Sequence, residues 1–367
     1  PDLVNKSRDG REDERRTCVA VNACVDTMGV GWGCAINPVA GRENRWGDEF
    51  TKPADNPMRV VVIGGGPAGL EAARIAAVRG NEVIVLEQRD VIGGGVHSWG
   101  LLPGRDSMRA LPDYFDTQLR KLGVKVSVGV KATPDIVRKL NPGVVILATG
   151  SRYSRQGITG LSPWPIPGAA RQHVFTPEDL IGQNRTLTGK VLVLDDEGYH
   201  TAAGIAESLS ARGARVIYVT RKDSPAASLG IAIGYITKRL QEQAVEIRTG
   251  CQVSEIGQNF VALSDISSGE NSIEDSVNHV VLSTVRVPVV SLEMDLVDFV
   301  PHLYVVGDAM APRGLREAIY EGHRFGRLVG DKQMPLSVSD ELFQMNPDAA
   351  LVSAADASVE DVIASQS

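Results

Sequence analysis

Three groups of residues in this chain have types and spacings that could do chemistry. The first is Gly64-Gly65-Gly66-Pro67-Ala68-Gly69, which follows an apolar run at residues 58–63 and precedes an alanine-rich stretch at 70–79. Glycines at these intervals suit a turn from strand to helix that meets a pyrophosphate. Gly64 permits the tight turn, Gly66 leaves room for the phosphates, and Gly69 lets the helix pack closely on the strand. The unpaired N–H groups at such a helix start, with the positive end of its dipole, stabilise an anion. Glu87 ends the next apolar run, residues 82–86, where a carboxylate can accept hydrogen bonds from the adenosine ribose hydroxyls. An ordinary glycine-rich turn is the alternative, and the strand, helix and acid around this loop argue against it.

The second group is Asp195-Asp196-Glu197-Gly198-Tyr199-His200. It stands between an expected strand at 190–194 and an expected helix at 201–212, with a further strand at 214–220. The layout repeats the first unit. The chemistry does not, because three carboxylates occupy the place of the glycines and would repel NAD(P)H phosphates by on the order of a few kcal/mol in a partly desolvated site. Arg221 and Lys222 could meet a 2′-phosphate or could be a solvated basic pair. The third group is cysteine. Four in the chain are too few for a disulfide scaffold, yet Cys18, Cys24 and Cys34 are crowded together. Packing as small hydrophobes is one account of them. Cys251 falls in an expected strand and reads as buried.

These groups need elements to hold them. Val144-Val145-Ile146-Leu147-Ala148-Thr149-Gly150 reads as a buried strand closing the first half of a dinucleotide domain, and Leu303-Tyr304-Val305-Val306 as a strand running into Gly307-Asp308. In two-dinucleotide-domain flavoproteins such a strand returns to the first sheet and its Asp bonds the ribitol of FAD; taken alone, the pair could be a simple turn. The fold class expected is α/β, with two Rossmann-like dinucleotide-binding domains of the glutathione-reductase type. The second is inserted in the first, and an irregular cysteine-containing segment precedes both. The divisions are residues 1–57 (an N-terminal stretch with the cysteine segment and a proline-rich linker at 52–57), 58–160 with 286–332 (the FAD- or ADP-binding domain), 161–285 (the inserted NAD(P)-like domain with its degenerate loop), and 333–367 (an acidic tail).

Composition fits this class: 367 residues, 43% hydrophobic, 23% charged and a net charge of −7. An acidic chain is a poor partner for nucleic acid. No apolar run approaches the roughly 20 residues of a membrane span, and no signal peptide precedes the first domain, so a cytoplasmic location is expected. The chain opens on Pro1 without an initiator Met and is expected to continue upstream.

Taken together these motifs resemble the C-terminal portion of the trimethylamine dehydrogenase and 2,4-dienoyl-CoA reductase family. The segment from Pro1-Asp2-Leu3-Val4-Asn5-Lys6 to Gly10-Arg11 is similar to the end of that family's FMN-bearing TIM barrel. Cys34-Ala35-Ile36-Asn37-Pro38-Val39-Ala40-Gly41-Arg42-Glu43 is similar to its post-cluster segment. Gly307-Asp308-Ala309, with Ala311-Pro312-Arg313, Glu317-Ala318-Ile319 and Glu321-Gly322-His323, is similar to its final FAD segment.

The resemblance implies Gly64, Gly66, Pro67, Ala68, Gly69, Glu87, Gln88, Gly94, Val130, Ala148, Thr149, Gly150, Gly307 and Asp308 around FAD, or ADP in its place. It also implies an iron–sulfur cluster, [4Fe-4S] or [3Fe-4S], on Cys18, Cys24 and Cys34. Val21 stands where the family's second cysteine would be, so one corner would lack a thiolate, and a vestigial segment is the alternative.

FMN and the substrate pocket would lie on a barrel upstream or on another chain, and no substrate-side catalytic residue is expected here. The implied function is flavin-dependent oxidation of a substituted, N-methylated amine, with electrons passing to an electron-transfer flavoprotein or ferredoxin. An NAD(P)H-dependent 2,4-dienoyl-CoA or enoate reductase is the alternative, and a non-catalytic nucleotide-binding electron-transfer subunit a third reading. A homo-oligomer is expected, with no nucleic-acid or membrane partner.

Overall fold

A computed structural model describes residues 3–26, 33–183, 185–332 and 334, and the acidic tail expected at 333–367 lies outside them but for Met334. Short apolar runs rich in Val and Ile set up the first sheet: β1 (Arg59–Ile63), β2 (Glu82–Leu86), β3 (Lys125–Ser127), β4 (Val144–Leu147) and the late strand β15 (His302–Val305). Their order is β15-β4-β1-β2-β3, all parallel. A parallel sheet is covered on both faces, and the runs are apolar at successive positions for that reason. Alternate residues feed the two layers. Val60, Val62, Val144 and Ile146 meet α1 (Pro67–Val78) through Leu70 and Ala73, and the helix at Ala110–Lys121 through Phe115. Val61, Ile63, Val145 and Leu147 pack instead on Val137, Leu296 and Val300.

The inserted domain repeats the plan. β6 (Val174–Phe175), β7 (Lys190–Asp195), β8 (Arg215–Thr220), β9 (Glu246–Arg248) and β13 (His279–Ser283) form a parallel sheet in the order β6-β13-β7-β8-β9. Helix α2 (His200–Ala211) covers one face. The other face meets an antiparallel sheet of β10 (Cys251–Ile256), β11 (Phe260–Asp265) and β12 (Asn271–Asp275). Between the domains, β5 (Ser151–Tyr153) pairs antiparallel with β14 (Arg286–Pro288), so the outgoing and returning chain run side by side. Cys251, expected to be buried, starts β10 only half-buried, with its Sγ donating to the Thr249 carbonyl at 3.3 Å.

Helix α3 (Leu315–Leu328) closes the first domain against α1. Glycines permit the close approach: a Cβ added at Gly322 would stand 2.1 Å from the Ala68 carbonyl oxygen, and one at Gly326 would stand 2.7 Å from that of Ala72. Among the described residues no helix is long and apolar enough to cross a membrane.

The N-terminal segment has no periodic pattern, yet its sparse apolar residues are used. Val19, Ala35 and Ile36 are buried in the first domain's core. Arg16 fastens the segment by donating to the Ile36 carbonyl and, at 2.8 Å, to Glu71 on α1. Glu71 is fully buried and also accepts from Arg74 at 2.7 and 3.0 Å and faces His323 Nδ1 at 2.8 Å. Burial alone would raise its pKa, and Arg16, Arg74 and His323 overcome that and hold it well below the usual carboxylate range. Residues 52–57, expected as a linker, are pinned. Ala54 N–H donates to the Arg79 carbonyl at 2.8 Å and Asn56 N–H to that of Gly330 at 2.9 Å. The prolines remove donors there, and the remaining ones satisfy carbonyls that α1 and α3 leave open at their ends.

Candidate nucleotide site

The chain leaves β1 for β2 and β3 on one side of the sheet and returns to β4 on the other, so the sheet reverses its direction of growth at β1 and β4. In open α/β sheets ligands bind outside the carboxyl ends of the strands at such a point. The glycine loop lies there. Gly64 adopts φ +112°, and a Cβ on it would stand 2.2 Å from the Ala148 carbonyl oxygen. A Cβ on Gly69 would meet the Gly64 carbonyl oxygen at 2.1 Å and Val62 Cγ1 at 3.1 Å, which fixes α1 against β1. Gly66 differs. It caps α1 with extended backbone, and a Cβ there would meet nothing within 4 Å. Packing of the chain therefore gives no reason for glycine at 66, whereas a pyrophosphate at the helix start does.

The other residues expected at this site are gathered at the same sheet edge, with different roles. Glu87 is buried at the end of β2, accepting from Gly65 N–H at 2.7 Å and Arg89 N–H at 2.8 Å. It braces the loop while keeping further lone pairs for a ribose hydroxyl. Gln88 follows it and is exposed. Val130 N–H donates to the Glu87 carbonyl at 2.9 Å, and Gly93 N–H to that of Gly65 at 2.7 Å. A Cβ on Gly94 would stand 3.0 Å from Gly66 Cα. Pro67 and Ala68 begin α1. Ala148 N–H bonds the Ile63 carbonyl, the Thr149 hydroxyl bonds that of Val289, and a Cβ on Gly150 would meet nothing within 4 Å. Gly307 sits at φ +66°, where an added Cβ would be 2.8 Å from that of Ala68.

Asp308 carries partners that motif reading did not supply. Its carboxylate accepts from Ser151 Oγ at 2.9 Å, Arg313 N–H at 3.0 Å and the Arg286 guanidinium. Glu321 supports the same turn, accepting from Gly307 N–H at 2.7 Å and from Arg313. Arg313 and Glu321 had a signal, since they fall in the segment that is similar to the family's final FAD segment. Ser151 and Arg286 had none, because they meet only through the pairing of β5 with β14.

The second turn has its carboxylates bonded by protein groups of both domains. Asp195 accepts from Gly198 N–H at 2.8 Å and from the Tyr218 hydroxyl, and burial pushes it up to about 6 against these two bonds. Asp196 accepts from Gly160 N–H at 2.7 Å and from Arg221. Glu197 accepts from Arg286 and from the Tyr153 hydroxyl, each at 2.6 Å. Arg221 is thus held by Asp196, while Lys222 donates to Ser228 at 3.1 Å.

The three cysteines of the N-terminal segment differ in exposure. Cys18 and Cys24 are exposed, Cys34 is half-buried, and it packs with Val21 against the first core. Among the described residues no group of three or more His, Cys, Asp and Glu side chains could hold a metal ion.

With the site laid out, comparison with known proteins decides the family. The sequence profile of the pyridine nucleotide-disulphide oxidoreductases matches residues 58–322. The chain belongs to that family. It is 29% identical to the dimethylamine dehydrogenase of Hyphomicrobium over 377 residues, covering 90% of this chain and 50% of that protein. It is 30% identical to the NADH oxidase of Thermoanaerobacter brockii, over 88% of this chain and 49% of that one. The solved histamine dehydrogenase of Rhizobium sp. 4-9 superposes with a TM-score of 0.85 at 28% identity, over 91% of this chain and 54% of that one. The chain therefore spans about half the length of the relatives it matches. These relatives fit the C-terminal portion of the trimethylamine dehydrogenase-like family, and the chain is a module of α/β fold in the pyridine nucleotide-disulphide oxidoreductase family.

Proposed function

We propose that this chain is the dinucleotide-binding half of an oxidoreductase that oxidises a substituted, N-methylated amine, and that the FMN and substrate pocket lie on a barrel outside these residues. Gly64, Gly66, Gly69, Glu87 and Asp308 would hold FAD, or ADP by its shared adenosine diphosphate part, in the first domain. FAD bound there would supply one- and two-electron transfer. The residues of this chain anchor its phosphates and ribose and brace the loop. An electron-transfer flavoprotein or a ferredoxin-like protein is the proposed acceptor, and the cytoplasm the proposed location.

The observation that carries the choice of amine over NAD(P)H is the second turn. Asp195, Asp196 and Glu197 stand at the entrance of α2 with every carboxylate bonded to the protein. A pyrophosphate there would face anions instead of free N–H donors. The similarity to an NADH oxidase favours the opposite reading, a nicotinamide-dependent reductase. Rapid anaerobic mixing of the flavin-loaded chain with NADH and NADPH separates the two. No bleaching of flavin at 450 nm (roughly the flavin maximum, set by the cofactor itself) is expected, and fast bleaching at sub-millimolar nucleotide would replace amine oxidation by the reductase reading.

A further inference from the structure

The carboxylate-rich turn does more than refuse a nucleotide. Glu197 reaches out of the inserted domain to Arg286 Nε at 2.6 Å, and its second oxygen takes the Tyr153 hydroxyl at 2.6 Å. Arg286 turns its other nitrogens to Asp308 and, at 2.7 Å, to the Arg313 carbonyl. The side chains of Glu197 and Arg286 are only 12% and 13% exposed and that of Asp308 is 20% exposed, so solvent screens this row weakly. The glutamate has both oxygens engaged, and the guanidinium uses all three nitrogens in a fork that fixes its plane.

We propose that Glu197 and Arg286 are positioning residues for Asp308, and that the second turn, unsuited to a pyrophosphate, acts on the dinucleotide site of the first domain through them. This rests on the reading that Asp308 faces a bound dinucleotide. Arg286 pulls one Asp308 oxygen toward β14 and neutralises it, while Arg313 N–H and Ser151 Oγ define the rest of its orientation. Glu197 keeps Arg286 from turning to solvent or to an anionic ligand. Charge-assisted hydrogen bonds of this kind are short and directional, so loss of one changes the aim of the group it holds.

The test is FAD binding to the full chain, measured by quenching of flavin fluorescence, across Glu197→Gln, Arg286→Met, the pair together, and Glu197→Gln on an Asp308→Asn background. Circular dichroism confirms that each variant is folded, and ADP binding is measured in parallel as a probe that lacks the ribitol. Glu197→Gln is expected to weaken FAD roughly tenfold, as loss of a charged hydrogen bond does, and Arg286→Met at least as much. The double variant should bind no more weakly than Arg286→Met, and Glu197→Gln should have no effect once Asp308 is Asn, while ADP affinity stays within about twofold throughout. Such non-additivity marks residues acting in series, which general loosening of the fold would not give. Wild-type chain that binds FAD with Glu197→Gln unchanged, or with Glu197 and Arg286 effects that add, overturns the positioning role alone. Wild-type chain that binds neither FAD nor ADP overturns the nucleotide reading and the positioning role with it.

Discussion

Glu71→Ala tests how the cysteine segment is held to the nucleotide domain. The carboxylate is fully buried, accepts from Arg16 once and Arg74 twice, and faces His323. Its removal leaves two guanidinium groups, 13% and 15% exposed, beside an unpartnered imidazole. Breaking a buried ion pair from one side costs about 3–5 kcal/mol, because the remaining charge stays buried. For a chain of this size that is a fall in Tm of roughly 6–10 °C at about 2 °C per kcal/mol.

Arg59→Ala is the control, since its pair with Glu82 lies 43% and 48% exposed and should be worth at most about 1 kcal/mol. The pH dependence has a definite sign. The folded Glu71 value is depressed, so its stabilisation is complete above the ordinary carboxylate range near 4.5 and is lost as pH falls through the lower folded value. Urea unfolding followed by tryptophan fluorescence, together with a limited-proteolysis time course at residues 3–50, measures the effect. A loss under about 1 kcal/mol, with the segment still protected, would refute the idea that this buried charge fastens it.

Gly66→Val should abolish nucleotide binding and leave the melting curve close to that of the parent, because the new side chain meets no protein atom near Cβ but occupies the phosphate path; retention of cofactor in that variant would disprove the loop's role. His200→Leu should flatten the acid dependence of stability. Both ring nitrogens of His200 are buried without a partner, and burial, with Arg105 nearby, pushes its pKa down to about 3. The unfolded chain takes up this proton first, so stability is lost as pH falls below about 6.5, by about 2 kcal/mol at pH 5. Urea titrations of both proteins at pH 7 and 5 compare the slopes, and identical slopes would show that His200 finds a partner.

The two parallel sheets and the glycine loop were legible because they rest on local rules: apolar runs of strand length, a glycine where φ is positive, and a glycine where helix and strand touch. Gly64 and Gly69 are required by steric contacts that spacing alone anticipates. Two partners of Asp308, Ser151 and Arg286, were not legible, since they come together only through the register of β5 and β14, which also brings Arg286 to Glu197 across 89 positions. Charge at the second turn was visible, while its bonding to Arg221, Tyr218 and Arg286 depends on tertiary placement. Residues 52–57 read as a linker because their prolines and turn formers cannot continue a helix or strand, and the sequence does not show where the remaining N–H groups bond.

The central claim is that the first domain of this chain binds an adenine dinucleotide at the Gly64 to Gly69 loop. Denaturing the purified chain in acid, then separating and weighing the released small molecules, measures this directly. FAD or ADP at about one per chain, lost in Gly66→Val, is the result expected of a pyrophosphate site of this kind. Release of no adenine nucleotide, from chain that also takes up neither FAD nor ADP when they are added, would contradict it.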